Sequence, residues 1–477
     1  MKAVFANLGF ILQATGIINL LAIPVAIIYD EQSALVSFLI TSVVFLAAGF
    51  GMNSLSQRRR FDFKSSCVLM TLVFTLLGVG GAIPFLYTNT FAGADVFTKI
   101  AASIFESVSG YTTSGFSMIS DVDALPRSMV FYRGLTQWIG GIGVVFVILV
   151  FFNSRHSLDN VGKAVGFEKM TTTMRRSFVV ILLIYAAYTA VFFGLLWVFG
   201  LRDWVVNISL VFSTIATGGF GPVNDVATLT VFPRGLILDI LMILGATSFI
   251  VHYRLFTGKF KRVLSAELVT MVLIMVAFSF VFSVLTKTNL GASFFHVISV
   301  SSTTGASYIN LGSLAVNAKS LLFILMFIGG RASSTAGGIR IVNVLVFVKS
   351  IPWAVKSLIT GIPGNFKLEE KEYSVSDVVT ALLAIILAVV LVIIFAFVFT
   401  LFGHSLVDSL FEVISAFANT GLSVGIANLA LPNLLKIILI ITMLAGRVGI
   451  VALLVALIPG IKKETDRLKP ESVSLSE

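Results

Sequence analysis

Charge-free runs at 10–29 and 33–57 open the chain, and each is long enough to cross a hydrocarbon core of about 30 Å as a helix. A basic stretch, Arg58, Arg59, Arg60 and Lys64, separates this leading pair from another uncharged run at 65–94. From there the pattern becomes periodic: a full apolar span, a shorter apolar segment ending in a Ser/Thr/Gly motif, a second full span, and a basic loop. The spans fall at 66–88 and 128–152, at 177–200 and 232–253, at 266–286 and 317–349, and at 376–402 and 433–459. The segments between them, such as 93–109 and 204–213, are too short to cross, so they are predicted to dip in and return on the same side.

The motif repeats in register. Taking Gly115, Gly219, Gly305 and Gly421 as anchors, serine stands six residues before each, at 109, 213, 299 and 415. Two residues before stand Thr113, Thr217, Thr303 and Asn419. Four divergent copies at spacings of 104, 86 and 116 residues predict one supersecondary unit used four times. The predicted units are 65–153, 154–253, 254–349 and 350–460, after a leading segment 1–64 and before a polar tail 461–477. The fold class expected is an all-α polytopic membrane protein, with four membrane-helix, pore-loop, membrane-helix units around a central ion pore.

Composition agrees: 57% of residues are hydrophobic and 12% charged, about half the charge of a soluble domain. The excess of 33 basic over 23 acidic residues could suggest nucleic acid, but its placement in alternate loops reads as a topology signal instead. Loops at 154–176, 254–262 and 349–371, together with the first basic stretch and the tail, hold most of the lysine and arginine, which predicts cytoplasmic termini and motifs opening outward. The N-terminus reads as a retained first helix, and the tail as too short for a folded domain. The lone Cys67 makes no internal disulfide.

Non-helical backbone at membrane depth survives only inside protein or along a watery cavity. Short helices ending at the four serines turn their negative ends inward, which favours a cation. The glycines allow carbonyls to turn toward an ion, as in selectivity filters. The motif side chains are hydroxyls and amides (Thr112, Ser114, Thr304, Thr420 and the residues above), with Ala216 and Gly218 between them, and no carboxylate, which favours a monovalent ion. Small-residue packing at helix interfaces is the plainer reading of any one motif.

With YRGLTQWIGGIGV (132–144), IATGGF (215–220), FIGG and STAGGIR (327–330 and 334–340), SAFANTGLS (415–423) and GRVGI (446–450), the chain resembles the Trk/Ktr/HKT superfamily of potassium uptake proteins, in their pore-forming membrane subunit. The resemblance implies a four-unit pore, a homodimer among membrane lipids, and a cytosolic RCK/KTN-type nucleotide-binding regulatory subunit. No cofactor is expected on this chain, only potassium as transported ion at the filter residues. Four anchor glycines, with no serine in the first, favour potassium over sodium in this family. The first motif looks more like the Trk branch and the last more like the Ktr branch.

A helix over 317–349 would be about 50 Å long, and Gly329, Gly330, Gly337 and Gly338 are predicted to break it. The resemblance makes 329–340, with Ser334 and Thr335, an intramembrane gating loop; a plain kink is the alternative. Arg447 is expected midway along the last span, where an unpaired charge costs about 2.5–3.5 kcal/mol or more. By resemblance it projects into the pore as a barrier to cations, the alternative being an ion pair with Asp239. Arg331 has no assigned role, and Arg340 stands where the family often has lysine. Glu106 and Glu412 are expected to accept hydrogen bonds from motif amides. A sodium- or proton-coupled secondary transporter is the alternative function, but such carriers are built on inverted repeats, and these run in one direction. Four scattered histidines form no metal-like pair, so no enzyme is expected.

Overall fold

The computed structural model of the protein describes residues 2–54, 63–152, 174–258, 265–361, 366–368 and 371–458. The predicted basic residues Arg58–Arg60, most of the loop at 154–176, Lys259–Arg262 and the tail from 461 lie outside these. The described residues are helical almost throughout, with one two-stranded hairpin among them.

The leading pair is α1 (Lys2–Asn19) with its continuation α2 (Ala22–Ile28), and α3 (Gln32–Ser54). α1 and α3 touch backbone to backbone, since a Cβ on Gly9 would lie 2.6 Å from the Gly49 carbonyl oxygen. Close approach at small residues is how helices associate where lipid is as apolar as the side chains. This pair also caps the first repeat: the Glu31 carboxylate accepts from the Arg127 N–H (2.5 Å) and the Ser128 N–H (2.8 Å) at the start of α7.

Each repeat is a span, a short helix, an extended return and a second span. In the first these are α4 (Phe63–Gly80) with α5 (Ile83–Tyr87), then α6 (Val96–Tyr111), then α7 (Arg127–Phe152). The second has α8 (Met174–Val198), α9 (Trp204–Ile215), α10 (Arg234–Gly245) and α11 (Phe249–Phe256). The third has α12 (Ala266–Thr286), α13 (Leu290–Ser301), α14 (Val316–Ile328) and α15 (Ile341–Thr360). The fourth follows a hairpin, β1 (Phe366–Leu368) with β2 (Lys371–Tyr373), and comprises α16 (Val375–Leu401), α17 (Leu406–Phe417), α18 (Asn433–Val448) and α19 (Ile450–Leu457).

Twelve-residue helices such as α9, α13 and α17 reach about 18 Å and cannot cross a bilayer. A side-chain cap starts each short helix: Asp95, Asp203, Asn289 and Ser405 accept from backbone N–H groups of the first turn. Each packs on the span before it and on the second span of the preceding repeat: α9 on α7, α13 on α10, α17 on α14, and α6 on α18. That last contact joins the fourth repeat to the first and closes a cycle.

Not every predicted span is straight. Seven helical stretches among the described residues are long and apolar enough to cross unbroken. The expected spans at 232–253 and 433–459 are instead bent pairs, α10–α11 by 104° and α18–α19 by 103°. The expected span at 317–349 is interrupted between α14 and α15, where the glycines fall.

Candidate functional site

Each short helix ends in the same turn. After α6, α9, α13 and α17 one residue stays right-handed, and the next, Thr113, Thr217, Thr303 or Asn419, takes φ of 54°, 51°, 57° or 52°. Left-handed threonine is a steric outlier, costing on the order of 1–3 kcal/mol, and persists only where surrounding structure enforces it. Here a hydrogen bond does so: the N–H groups of Ser114, Gly218, Thr304 and Thr420 donate to the carbonyls of Ser109, Ser213, Ser299 and Ser415 at 2.8–2.9 Å. This is the helix-ending bond from C″ to C3, and it explains the fixed spacing of serine carbonyl and glycine.

The anchor glycines follow at φ of 87°, 75°, 73° and 78°. They are also the places where adjacent loops meet. A Cβ on Gly115 would overlap the Gly218 carbonyl, one on Gly219 the Thr304 carbonyl, one on Gly305 the Thr420 carbonyl, and one on Gly421 the Ser114 carbonyl. The four loops thus form a closed ring in chain order, so tight that a side chain at any of these positions would push the neighbouring carbonyl aside. Thr112, Ser114, Ala216, Gly218, Thr304 and Thr420 are buried behind it, while the glycines are partly exposed. On one side a cavity of about 250 Å³ is lined by Gly219, Gly305, Gly421, Phe220, Ser307 and Ser423, among others.

Supports behind the ring differ by repeat. Glu106 accepts from the Met118 N–H (2.9 Å) and the Ser117 hydroxyl (3.0 Å). Glu412 accepts from the N–H groups of Val424 (3.0 Å) and Ile426 (3.2 Å). These are the backbone partners expected of both glutamates. The sequence reading missed Arg133 and Gln137. Arg133 pairs with Glu106 at 2.9 Å, donates to the Gly221 carbonyl at 3.1 Å, and lies 4.2 Å over the Phe220 ring. Gln137 donates to the Gly218 carbonyl (2.7 Å) and accepts from the Phe220 N–H (3.2 Å). Both side chains reach from the first repeat to hold the second loop. Their signal was present as polar positions, one helical turn apart, within an apolar span.

Beneath the ring lies the 329–340 segment, an irregular loop with positive φ at Gly329, Ser333, Gly338 and Arg340. It is closed on itself by the N–H groups of Ile339 and Arg340, which donate to the carbonyls of Phe327 and Ile328. Thr335 donates to the Gly245 carbonyl at 2.9 Å and accepts from the Thr217 hydroxyl at 3.2 Å. The Gly337 N–H donates to the Thr303 hydroxyl at 2.9 Å, and a Cβ on Gly337 would overlap the Ala418 carbonyl. Ser334 turns its hydroxyl back to the Arg331 carbonyl, and Gly330 is wedged against Ala336. The bend between α10 and α11 accommodates the loop: Ala246 and Gly245 carbonyls accept from Arg331 and Thr335 N–H groups, and the Phe249 N–H donates to the Ser333 carbonyl.

Arg447 sits two residues before the α18–α19 bend, not midway along a straight span. It is 4% exposed and donates to the Thr335 carbonyl (2.7 Å) and the Gly140 carbonyl (2.9 Å). No described carboxylate pairs with it, and the charge of Asp239 acts instead on Tyr308. Arg331, unassigned from sequence, pairs with Glu267 at 3.2 Å and donates to the Ser265 hydroxyl at 2.7 Å. Arg340 also stands in the field of Glu267, so one carboxylate at the start of α12 faces both ends of the loop.

Comparison with known proteins gives the family and the fold. The TrkH family, described as cation transport proteins, matches residues 31–290 and 263–464. An uncharacterized cation transporter of Methanocaldococcus jannaschii is 30% identical over 95% of both chains. The Trk system potassium uptake protein TrkH of Salmonella typhimurium is 27% identical over 92% of this chain and 95% of its own. The crystal structure of the potassium transporter TrkH from Vibrio parahaemolyticus shares the fold at a TM-score of 0.83, covering 96% of this chain and 98% of that one at 24% identity. The chain is therefore a multi-pass membrane protein and a transporter, not an enzyme, and it belongs to the TrkH family of cation transport proteins.

Proposed function

We propose that the protein takes up potassium, inward and down its electrochemical gradient, through a pore whose selectivity filter is the ring of four loops. The closed contact of Gly115, Gly219, Gly305 and Gly421 with the neighbouring carbonyls carries this reading. Such a ring presents backbone oxygens where an ion sheds its water, and it holds no carboxylate that would trap a divalent ion. Some hydroxyls of the loops are engaged with one another and with amides, as where Ser114 meets both Thr112 and Asn419, whereas those of Thr113 and Thr420 are buried without a protein partner. Carbonyls, with those two hydroxyls, are then the groups left to coordinate. The cyclic packing of like-oriented repeats weighs against an alternating-access carrier built on inverted halves. Potassium as the cargo also has the support of the relatives named above.

The 329–340 loop and Arg447 form the gate in this reading. The loop blocks the inner end of the filter, and a guanidinium 4% exposed beside it adds an electrostatic barrier to cations. Both termini and the basic loops face the cytosol. The chain forms a homodimer and is controlled by a cytosolic nucleotide-binding subunit. Ala332 of the loop packs in one cluster with Leu368 and Tyr373 of the hairpin, which offers that subunit a lever on the gate.

Rubidium and sodium uptake into potassium-starved cells, comparing wild type with Gly115→Ser, tests the filter. Saturable rubidium uptake with little sodium is expected from the wild type, and sodium admission from the variant. Unchanged ion preference in the variant would sink the assignment.

A further inference from the structure

Three of the four short helices carry a hydrogen-bond acceptor nine residues before the filter glycine: Glu106, His296 and Glu412. The two glutamates accept from the N–H three residues after the glycine, those of Met118 and Val424. His296 occupies the same place in the third repeat. Its Nε2 lies 3.5 Å from the N–H nitrogen of Tyr308, three residues after Gly305, and its Nδ1 lies 2.7 Å from the Ala292 carbonyl oxygen. A carbonyl only accepts, so Nδ1 carries the proton and Nε2 is the acceptor, which makes this a neutral imidazole. In the second repeat the place is Leu210, and Gln137 holds that loop instead.

The ring is 2% exposed and clamped by aromatic side chains, with the Tyr308 centroid at 4.4 Å, Phe295 at 5.5 Å and Phe282 of α12 at 6.3 Å. Among charged groups on the packed elements, Asp239 of α10 acts electrostatically on Tyr308, and Lys319 of α14 is paired with Asp408 at 2.8 Å. Ser307 and Ile309, on either side of Tyr308, line the cavity next to the filter ring.

We propose that His296 is a positioning residue for the third filter loop, and that its protonation makes this loop the one through which acidity at the outer face alters ion selection. This rests on the filter reading above. A protonated imidazole has only donors, so Nε2–H would face the Tyr308 N–H and the support would be lost. A carboxyl group at 106 or 412 keeps an acceptor oxygen in either protonation state, so protonation weakens those supports without reversing them.

The test is rubidium and sodium uptake in potassium-starved cells at external pH of about 7.5 and about 4.5, the lower value set well under the ordinary imidazole value of ~6.5 because charging a ring 2% exposed is costly. Wild type, His296→Gln, His296→Leu and Gly115→Ser are compared at matched membrane levels. Wild type is expected to lose rubidium-over-sodium preference several-fold at the lower pH. His296→Gln, whose amide oxygen accepts at both pH values, is expected to keep the preference and lose the pH dependence. His296→Leu is expected to show the weakened preference at both. The inference is overturned if His296→Gln retains the wild-type pH profile or if His296→Leu discriminates as well as wild type. Gly115→Ser separates the two failures: if it admits sodium while the His296 variants behave as wild type, the filter stands and only the role of His296 falls.

Discussion

Arg133 and Glu106 show what a single pair does for this site. Both side chains are at most 2% exposed and 2.9 Å apart, and the guanidinium continues to Gly221 and Ser117. Removing one partner of a buried pair strands the other charge, at about 3–5 kcal/mol, whereas replacing both with well-fitting neutral groups costs far less. Arg133→Met alone is therefore expected to lower the thermal unfolding midpoint in detergent sharply. Arg133→Met with Glu106→Gln should recover most of it, and equal loss in the single and double variants would contradict the pair's role. At this scale the sequence was legible where backbone geometry restricts residue type. Glycine at four anchors could be read because each position excludes a Cβ, and serine, threonine and glycine recur at intervals fixed by one helix-ending turn. Partners reaching between repeats could not be read, because nothing along the chain links Arg331 to Glu267, 64 residues away. His296 had a signal that only the register of the repeats exposes: it stands where two other copies have glutamate.

Among elements, the broken helices separate what composition dictates from what packing dictates. The gap between α14 and α15 follows from glycine density, and it was predicted. The 104° bend between α10 and α11 was not, since GATSF contains one glycine and no proline. Its cause is tertiary: the carbonyls freed at Gly245 and Ala246 are taken by N–H groups of the 329–340 loop. The bend at Gly449 likewise requires φ of 90°, which glycine permits but does not demand. These two bends hold the loop from opposite sides, through Thr335 to Gly245 and through Arg447 to the Thr335 carbonyl. Charge-assisted hydrogen bonds of the Arg447 kind contribute about 1.5–3 kcal/mol each. Arg447→Ala should thus loosen the loop and remove the positive charge beside it, raising rubidium uptake several-fold in cells that lack the proposed regulatory subunit. Arg447→Lys keeps the charge without the fork that reaches both Thr335 and Gly140, and is expected to fall between the two. Uptake unchanged in Arg447→Ala would show that the residue is no barrier.

The whole molecule is a cycle, with each short helix seated on the preceding repeat and α6 seated on α18. Periodicity revealed four units, but closure depends on contacts between segments more than 300 residues apart, such as the Asn419 amide on the Ser114 hydroxyl at 2.7 Å. Orientation follows from a different property. Since every repeat contains two spans and a re-entrant segment, successive basic loops fall on one side, and the returns after the short helices fall on the other. Those returns expose Asp121, whose carboxyl is held below its ordinary value by the Asn224 amide, the largest influence on it. They carry few lysines or arginines, whereas the far ends of α15 and α11 carry Lys349, Lys356 and Arg254. In the proposed reading positive charge is retained on the cytoplasmic side during insertion, which would turn the filter glycines outward and the loop beneath them to the cytosol. Single cysteines can test this, because the native Cys67 is buried. Ala227→Cys, on the return of the second repeat, should react with a membrane-impermeant maleimide in intact cells. Leu358→Cys, 85% exposed near the end of α15, should react only after permeabilisation. The reverse labelling pattern would turn the protein over, placing the candidate gate outside and the filter inside, and uptake could not then proceed in the direction proposed.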